Sequence, residues 1–253
     1  MLKVVILGGG NLAMHLANVF LKTSDISLVQ VYNRTLSHIT QLQKHISITN
    51  DLETLEKADI YIICVSDHAI ELLSSNVPVS KALVVHTSGS TTMDILNSHK
   101  RHGVFYPLQT FSKNRKISFK KIPICIESNN SDDLVLLKEL ASKISKNSHV
   151  VNSEQREQLH MAAVFVNNFV NHLYHIGNDI CTENKIQPEI LQALIQETAK
   201  KTARFSPYEA QTGPARRGDE TTIKKHLEKL SNNQQEIYKL LSHSIATTYG
   251  KKL

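Results

Sequence analysis

The chain has 253 residues, 41% of them hydrophobic and 21% charged, which is typical of a globular protein with its own core. No apolar run approaches the roughly 20 residues of a membrane span, and the N-terminus lacks a signal-peptide pattern, so we expect no membrane segment and a cytoplasmic location. The formal net charge is +6, but the lysines are scattered without interleaved aromatic residues, which does not favour nucleic acid as a partner.

Five apolar, β-branched runs alternate with helical patterns in the first half of the chain. The predicted strands are 3–8, 27–33, 59–65, 82–88 and 123–127, and helical patterns cover 11–23 and 134–145. Continuous apolar strands separated by helices are typical of a parallel sheet that is covered on both faces. We therefore predict a doubly wound, mainly parallel α/β domain over residues 1–152.

A glycine turn follows the first predicted strand. Gly8, Gly10 and Ala13 fit the spacing G-x-G-x-x-G/A, in which the first glycine permits a tight turn and the second lets the backbone approach a pyrophosphate. Asn11 and Leu12 begin the helix, whose N-terminus offers unpaired N–H groups to an anion. The pattern predicts a dinucleotide site at these five residues.

The end of the second predicted strand indicates which dinucleotide the site binds. An NAD site usually has an acidic residue here for the ribose hydroxyls, but this chain has Asn33 and Arg34. Arg34 can pair with a 2′-phosphate, and Thr35 can donate its hydroxyl. We predict NADP as the cofactor, the alternative being that Arg34 is an ordinary surface arginine.

The next two strand ends should border the same crevice, because the carboxyl ends of parallel strands meet at one edge of the sheet. His86 begins the polar end of the later strand and is a candidate catalytic residue near the nicotinamide. Ordinary turn chemistry is the alternative for these polar positions. The candidate cofactor contacts here are Val65, Ser66, Asp67, Thr87, Ser88 and Gly89.

Strands stop after residue 152, and helices are predicted over 153–184, 188–205 and 219–249. Residues 153–253 therefore read as an all-α domain. In the first of these helices, polar residues recur at helical spacing: His160, Asn168, His172 and His175. We predict His160 as a proton donor and Asn168 as an orienting amide. The alternatives are a structural histidine or a dimer interface, and we favour these for His172 and His175. A metal site is not favoured, because no acidic residue completes a set of ligands with the histidines.

A turn-rich loop over 206–219 is the candidate substrate site. Its polar side chains suit a carboxylate or phosphate, so we expect a small acidic substrate. The alternative is that Asp219 caps the next helix while the arginines are exposed. In the stretch 105–111, Tyr106 and Gln109 are polar candidates for the wall of the crevice. The candidate substrate contacts are Gln109, Gln211, Thr212, Gly213, Arg216 and Arg217.

The stretches VVILGGGNLAMHLA and YNRT resemble the NADP-binding half of pyrroline-5-carboxylate reductases. They are also similar to the wider β-hydroxyacid and 6-phosphogluconate dehydrogenase superfamily. A more specific resemblance, over nearly the whole chain, is to Rossmann-like NADP oxidoreductases whose helical half is called domain of unknown function 2520. It is carried by HTSGS (86–90), GVFYPLQTFSK (103–113), PICIE (123–127), HMAAVFVNNFVNHL (160–173), LIQETAKK (194–201) and AQTGPARRGD (210–219).

The resemblance implies a Rossmann-like domain with NADP, an all-α domain and a homodimer through the C-terminal helices. The superfamily's catalytic lysine lies four residues before an asparagine, but the matching positions here are Ala163 and Val164. We therefore predict an NADP-dependent oxidoreductase, without that lysine, acting on a small carbonyl, imine or hydroxy compound with an acidic group. The alternatives are a non-enzymatic NADP-binding sensor or regulator, and a structural or partner-binding role.

Overall fold

The computed structural model describes residues 1–78, 81–113 and 115–251. The chain forms two compact units, Met1–Asn168 and Phe169–Leu253. The first contains the sheet and its flanking helices, and the second is helical, which confirms the predicted fold class. Residues 153–168 group with the first unit, and the predicted domain boundary after residue 152 stays a prediction.

The first unit is built on one eight-stranded sheet with the order β3-β2-β1-β4-β5-β6-β7-β8. Every neighbouring pair is parallel except β6 and β7, which are antiparallel. The strand order reverses between β1 and β4, and a doubly wound sheet binds its ligand at such a point. The strands are β1 (Leu2–Leu7), β2 (Ile26–Tyr32), β3 (Ser47–Thr49), β4 (Ile60–Ile63), β5 (Leu83–His86), β6 (His102–Pro107), β7 (Ile124–Ser128) and β8 (Ser148–Val150).

The central strands are apolar throughout because both faces of the sheet are covered. In β1, Val4 and Ile6 belong to one hydrophobic cluster, whereas Val5 and Leu7 belong to the other. This alternation follows from the period of two residues in a strand. All four side chains have no exposed surface, so β1 is a rigid base for the glycine turn that follows it.

Three strands were not predicted, and each has a physical reason. β3 and β8 are three residues long, and all of β8 is exposed, so neither has an apolar pattern. β6 begins at His102–Gly103 and ends at Pro107, residue types that read as turn formers. The five predicted strands all form, with ends shifted by one or two residues.

Four helices flank the sheet, and the last of them continues into a π-helical segment. They are α1 (Asn11–Phe20), α2 (Ile70–Ser75), α3 (Ser131–Ile144) and α4 (Ser153–Ala163), followed by the π segment Val164–Phe169. The predicted helix over 153–184 is therefore not one regular α-helix, because a π segment that contains Asn168 follows the helix that carries His160. That His160 and Asn168 share one face of this helix stays a prediction.

The second unit contains six helices in its described residues, and the predicted long helices are interrupted. Residues 188–205 form a 3₁₀ turn followed by α6, and 219–249 divide into α9 and α10. The predicted loop 206–219 contains the one-turn helices α7 and α8. No described helix is long and apolar enough to span a bilayer. The helices are α5 (Val170–Glu183), α6 (Gln192–Lys201), α7 (Pro207–Ala210), α8 (Pro214–Arg217), α9 (Glu220–Leu227) and α10 (Asn232–Thr248).

Candidate functional site

The turn between β1 and α1 has the geometry that the glycine spacing predicts. Gly8 has φ +137°, and a Cβ on it would lie 2.1 Å from the carbonyl oxygen of Cys64, so no other residue fits. A Cβ on Gly10, by contrast, would have no atom within 4 Å. The backbone at Gly10 therefore borders open space at the start of α1, which fits the close approach of a pyrophosphate.

Gly9 is a position that the spacing rule does not mark. A Cβ there would lie 2.8 Å from Cγ of Asn33 and 2.9 Å from Cγ2 of Ile39. The turn thus packs directly on the end of β2. Ala13, in the first turn of α1, is buried. A larger residue there would separate α1 from the sheet.

A cavity of about 410 Å³ lies above this turn at the carboxyl edge of the sheet. It brings together residues from four separate segments of the sequence, as expected for a doubly wound sheet. The predicted cofactor contacts that line it are Gly10, Asn11, Leu12, Asn33, Val65, Ser66, Asp67, Thr87 and Ser88.

A second cavity, of about 620 Å³, is lined by Gly8 and by the ends of β2 and β4. Arg34 is exposed and lines it together with Asn33. Thr35 is not among its lining residues, and its carbonyl oxygen accepts a 2.8 Å bond from Nδ2 of Asn33. The carboxylates of Asp51 and Glu53 line the same cavity, a feature that the strand-end pattern did not predict.

The hydroxyl groups after β5 fold their own loop. Oγ of Ser88 accepts bonds from the N–H groups of Ser90 and Thr91, at 3.2 and 3.0 Å. Oγ1 of Thr87 donates to the carbonyl oxygen of Ile63 at 3.2 Å, and Oγ of Ser90 donates to Asp67 at 2.5 Å. These side chains therefore hold the rim of the cavity in shape.

His86 is fully buried at the end of β5, and both of its ring nitrogens have partners. Nδ1 accepts from the N–H of Ser88 at 3.1 Å, so Nε2 carries the hydrogen and donates to the carbonyl oxygen of Thr92 at 3.2 Å. Burial, reinforced by the charge of Arg156, lowers the pKa of His86 to about 4. This placement explains His86 as a neutral structural residue and does not favour its predicted catalytic role.

His160 lies beside the same loop and pairs with Tyr106. The hydroxyl of Tyr106 is 3.2 Å from Nδ1 of His160, and the two rings meet edge to face at 6.2 Å. A Cβ on Gly89 would lie 2.6 Å from that nitrogen and 2.8 Å from Cζ of Tyr106. Burial raises the pKa of Tyr106 to about 12, so the phenol stays neutral beside the imidazole.

A buried arginine fixes α4 to this edge of the sheet. Arg156 forms an ion pair with Glu127 and donates to the carbonyl oxygen of Thr91 at 2.5 Å and to Oγ of Ser153 at 3.2 Å. Glu127 also accepts from the N–H of Ser153 at 2.8 Å. The pair links β7, the loop after β5 and the start of the helix that carries His160.

The side chains of two other predicted site residues, Asn168 and Gln109, have only neighbouring residues as hydrogen-bond partners within the described part of the chain. Asn168 is exposed within the π segment, where Nδ2 of Asn167 approaches its Oδ1 at 3.5 Å. Gln109 is exposed, and its Oε1 accepts from the N–H of Thr110 at 2.8 Å. Within residues 1–78, 81–113 and 115–251, no three His, Cys, Asp or Glu side chains are grouped to hold a metal ion.

The second unit has a cation-rich cavity of its own, of about 600 Å³. Arg216 bonds to the carbonyl oxygen of Gln211 and lies 5.1 Å from the ring centre of Tyr249. Arg217 is 3.9 Å from Asp219, which caps α9 by accepting from the N–H of Thr222 at 3.0 Å. The lining residues are Thr212, Gly213, Arg216, Arg217, Tyr249 and Lys251.

The open backbone at Gly10 and the reversal of strand order beneath it define a Rossmann-like dinucleotide-binding protein. Residues 3–88 match the family described as NADP oxidoreductase coenzyme F420-dependent, and residues 122–245 match the domain of unknown function DUF2520. The chain belongs to the family of Rossmann-like NADP oxidoreductases with a DUF2520 domain. No curated protein sequence matches it significantly.

Solved structures agree with this family. A candidate NADP oxidoreductase from Bacteroides fragilis is 39% identical over 97% of this chain and 98% of its own, with a TM-score of 0.91. A Plasmodium falciparum pyrroline carboxylate reductase with NADP bound is 13% identical over 97% and 98%, with a TM-score of 0.65. An imine reductase from Myxococcus stipitatus in complex with NADP⁺ is 14% identical over 98% and 92%, with a TM-score of 0.63. The last two show a shared fold.

Proposed function

We propose that this protein transfers a hydride between NADP(H) and a small imine, carbonyl or hydroxy compound that carries an acidic group. The observation that carries the proposal is the pairing of His160 with Tyr106 beside Gly89. Gly89 follows Ser88, which lines the cavity of about 410 Å³ above the glycine turn. We call this cavity and the one lined by Arg34 the cofactor cavities. A proton-transferring side chain next to a dinucleotide cavity is what such a reduction requires.

The NADP part of the proposal rests on Arg34. Its guanidinium lines the cavity at the end of β2, where an NAD site has a carboxylate. NADP is also the cofactor in the complexes of the P. falciparum and M. stipitatus enzymes. Asp51 and Glu53 in the same cavity oppose a phosphate, so the preference depends on Arg34.

The protein's own residues have distinct tasks in this reaction. Bound NADPH supplies the hydride. The protein orients the cofactor through the backbone at Gly10, and His160 holds a proton for the substrate nitrogen or oxygen. Because Nδ1 of His160 is bonded to Tyr106, Nε2 is the nitrogen that exchanges the proton.

The first experiment is a calorimetric titration of the protein with NADPH and with NADH, repeated on Arg34→Ala. We expect NADPH to bind more tightly, and Arg34→Ala to bring the two affinities to parity. Lys44→Ala removes an exposed charge elsewhere and serves as the control. Equal affinities in the unchanged protein would contradict the NADP assignment.

A panel of cyclic imines, 2-oxo acids and hydroxy acids, followed by NADPH absorbance, tests the chemistry. His160→Gln should abolish turnover and keep cofactor affinity. His172→Gln, at an exposed position outside the pair, should change neither turnover nor affinity. Tight NADPH binding with no turnover on any acidic compound would favour the sensor or regulator instead.

We also propose that the protein is a homodimer through its C-terminal helices. Large apolar side chains on the second unit are exposed, with Ile190 and Leu240 at 71% and Leu194 at 64%. Such surfaces mark interaction sites in water-soluble proteins. Sedimentation equilibrium should give twice the chain mass of 28.4 kDa, and a monomer at micromolar concentration would overturn the proposal.

A cytosolic location belongs to the same proposal. Cys64, Cys125 and Cys181 are buried free thiols. Unpaired thiols are typical of proteins in a reducing compartment. Fractionation of cells that express the tagged full chain tests this, and recovery from an extracytosolic fraction would contradict it.

A further inference from the structure

A third cavity in the first unit, of about 610 Å³, lies against α1 and shares no lining residue with the two cofactor cavities. We call it the basic cleft. Three segments form it: α1 with residues 22–23 that follow it, residues 113 and 115–120, and the end of α3. Nothing in the proposed reaction uses it.

The basic cleft is lined by six cationic side chains and by no carboxylate among its described residues. Nζ of Lys143 is 3.2 Å from Glu139 and 3.8 Å from Asp25. In the described part of the chain, no salt bridge joins any of the other five to a carboxylate. Like charges that converge without counterions repel one another, and a bound anion would relieve that repulsion. The six are Lys22, Lys113, Arg115, Lys116, Lys120 and Lys143.

The wall opposite α1 is held in place by contacts with the helix. Nε2 of His15 is 3.0 Å from the carbonyl oxygen of Ser112, and its ring lies 5.2 Å from that of Phe111. Phe111 in turn stacks on Phe119 at 5.7 Å. Phe119 is 4% exposed and Ile144 6% exposed, so the cleft has a packed apolar floor beneath its charged rim.

We propose that the basic cleft binds a small molecule carrying two or more phosphate groups. A single phosphate would occupy one or two cations, whereas five unpaired cations from separate segments match a ligand with several charges. The volume is within the range of small-molecule sites, and the apolar floor suits the uncharged part of such a ligand. The site is separate from NADP binding, so the two proposals stand independently.

Calorimetry with tripolyphosphate tests the proposal, with orthophosphate as the single-phosphate comparison. We expect tripolyphosphate to bind the unchanged protein at one site, more tightly than orthophosphate, and to weaken as salt is added. The double variant Lys116→Ala/Lys120→Ala should bind it about tenfold more weakly. Lys44→Ala/Lys57→Ala, which removes two exposed charges outside the cleft, should bind it unchanged.

Arg34→Ala distinguishes the basic cleft from the cofactor cavities. Tripolyphosphate affinity that survives Arg34→Ala but falls in Lys116→Ala/Lys120→Ala supports the cleft. Affinity lost only in Arg34→Ala would place the anion in the cofactor site and overturn the proposal. An equal loss of tripolyphosphate affinity in both lysine double variants would show that binding depends only on net charge, and would overturn the proposal. Equal affinities for tripolyphosphate and orthophosphate would overturn it as well.

Discussion

The hydroxyl oxygen of Tyr106 lies 3.2 Å from Nδ1 of His160, although 54 positions separate the two residues in the chain. The contact joins the end of β6 to α4. It occupies one ring nitrogen of His160 and leaves Nε2 without a hydrogen-bond partner within the described ranges. The orientation of the imidazole therefore depends on a phenol that no local pattern connects with it.

Removing this hydroxyl should impair catalysis more than folding. In Tyr106→Phe the ring still packs on His160, but Nδ1 loses its partner, so we expect kcat to fall about 10- to 100-fold with little change in NADPH affinity. Steady-state kinetics on the substrate found by the panel, together with Tm, measure the two effects. An unchanged kcat would show that the hydrogen bond does not position His160.

Alanine substitution at two glycines of the same turn should affect different properties, stability at one and NADPH affinity at the other. Gly8→Ala places a methyl group 2.1 Å from the oxygen of Cys64 at φ +137°, so we expect a loss of several kcal/mol in the free energy of unfolding. Gly10→Ala has no neighbour within 4 Å and should keep its Tm but lose NADPH affinity. Chemical denaturation and calorimetry on the two variants test this, and normal NADPH binding by Gly10→Ala would contradict the site.

Burial of neutral His86 predicts a loss of stability in acid. Its pKa falls from 6.5 to about 4 in the folded protein, so the unfolded chain binds the extra proton first. The contribution of neutral His86 to the free energy of unfolding is complete above pH 6.5 and is lost as the pH falls toward 4. The whole loss is ~3 kcal/mol at most. Urea unfolding at pH 7 and pH 5 measures it. His86→Gln should flatten the dependence, and an equal slope in that variant would assign the effect to other groups.

The buried pair of Arg156 and Glu127 should be costly to break from one side. Arg156→Met leaves the Glu127 carboxylate without its cation, so we expect a loss of about 3–5 kcal/mol in stability. Arg156→Met combined with Glu127→Gln should recover part of that loss, because no charge is left unpaired. Additive losses in the double variant would show that the two side chains act independently.

Local patterns predicted the parts of the site that lie close together in sequence. The glycine spacing predicted the turn at Gly8 and Gly10 because a tight turn and a close approach need specific residue types. The buried strands were predictable because their apolar residues are continuous. The edge strands β3 and β8 were missed because three residues carry no period.

Contacts between distant segments were not predictable in this way. Arg156 reads as a surface charge in a polar helical turn, yet it is 1% exposed, and only the folded chain brings Glu127 to it. His86 has the residue type of a catalytic group, but burial and two hydrogen bonds give it a structural explanation.

The guanidinium of Arg156 has an effect beyond its ion pair. Although Glu127 balances its charge, Arg156 still lowers the proton affinity of His86, Tyr106 and Cys125. These three groups lie on three different strands, so its field extends across the carboxyl edge of the sheet. An arginine does not deprotonate in a protein. The positive charge of Arg156 therefore acts on this edge of the sheet at any pH at which the protein is folded.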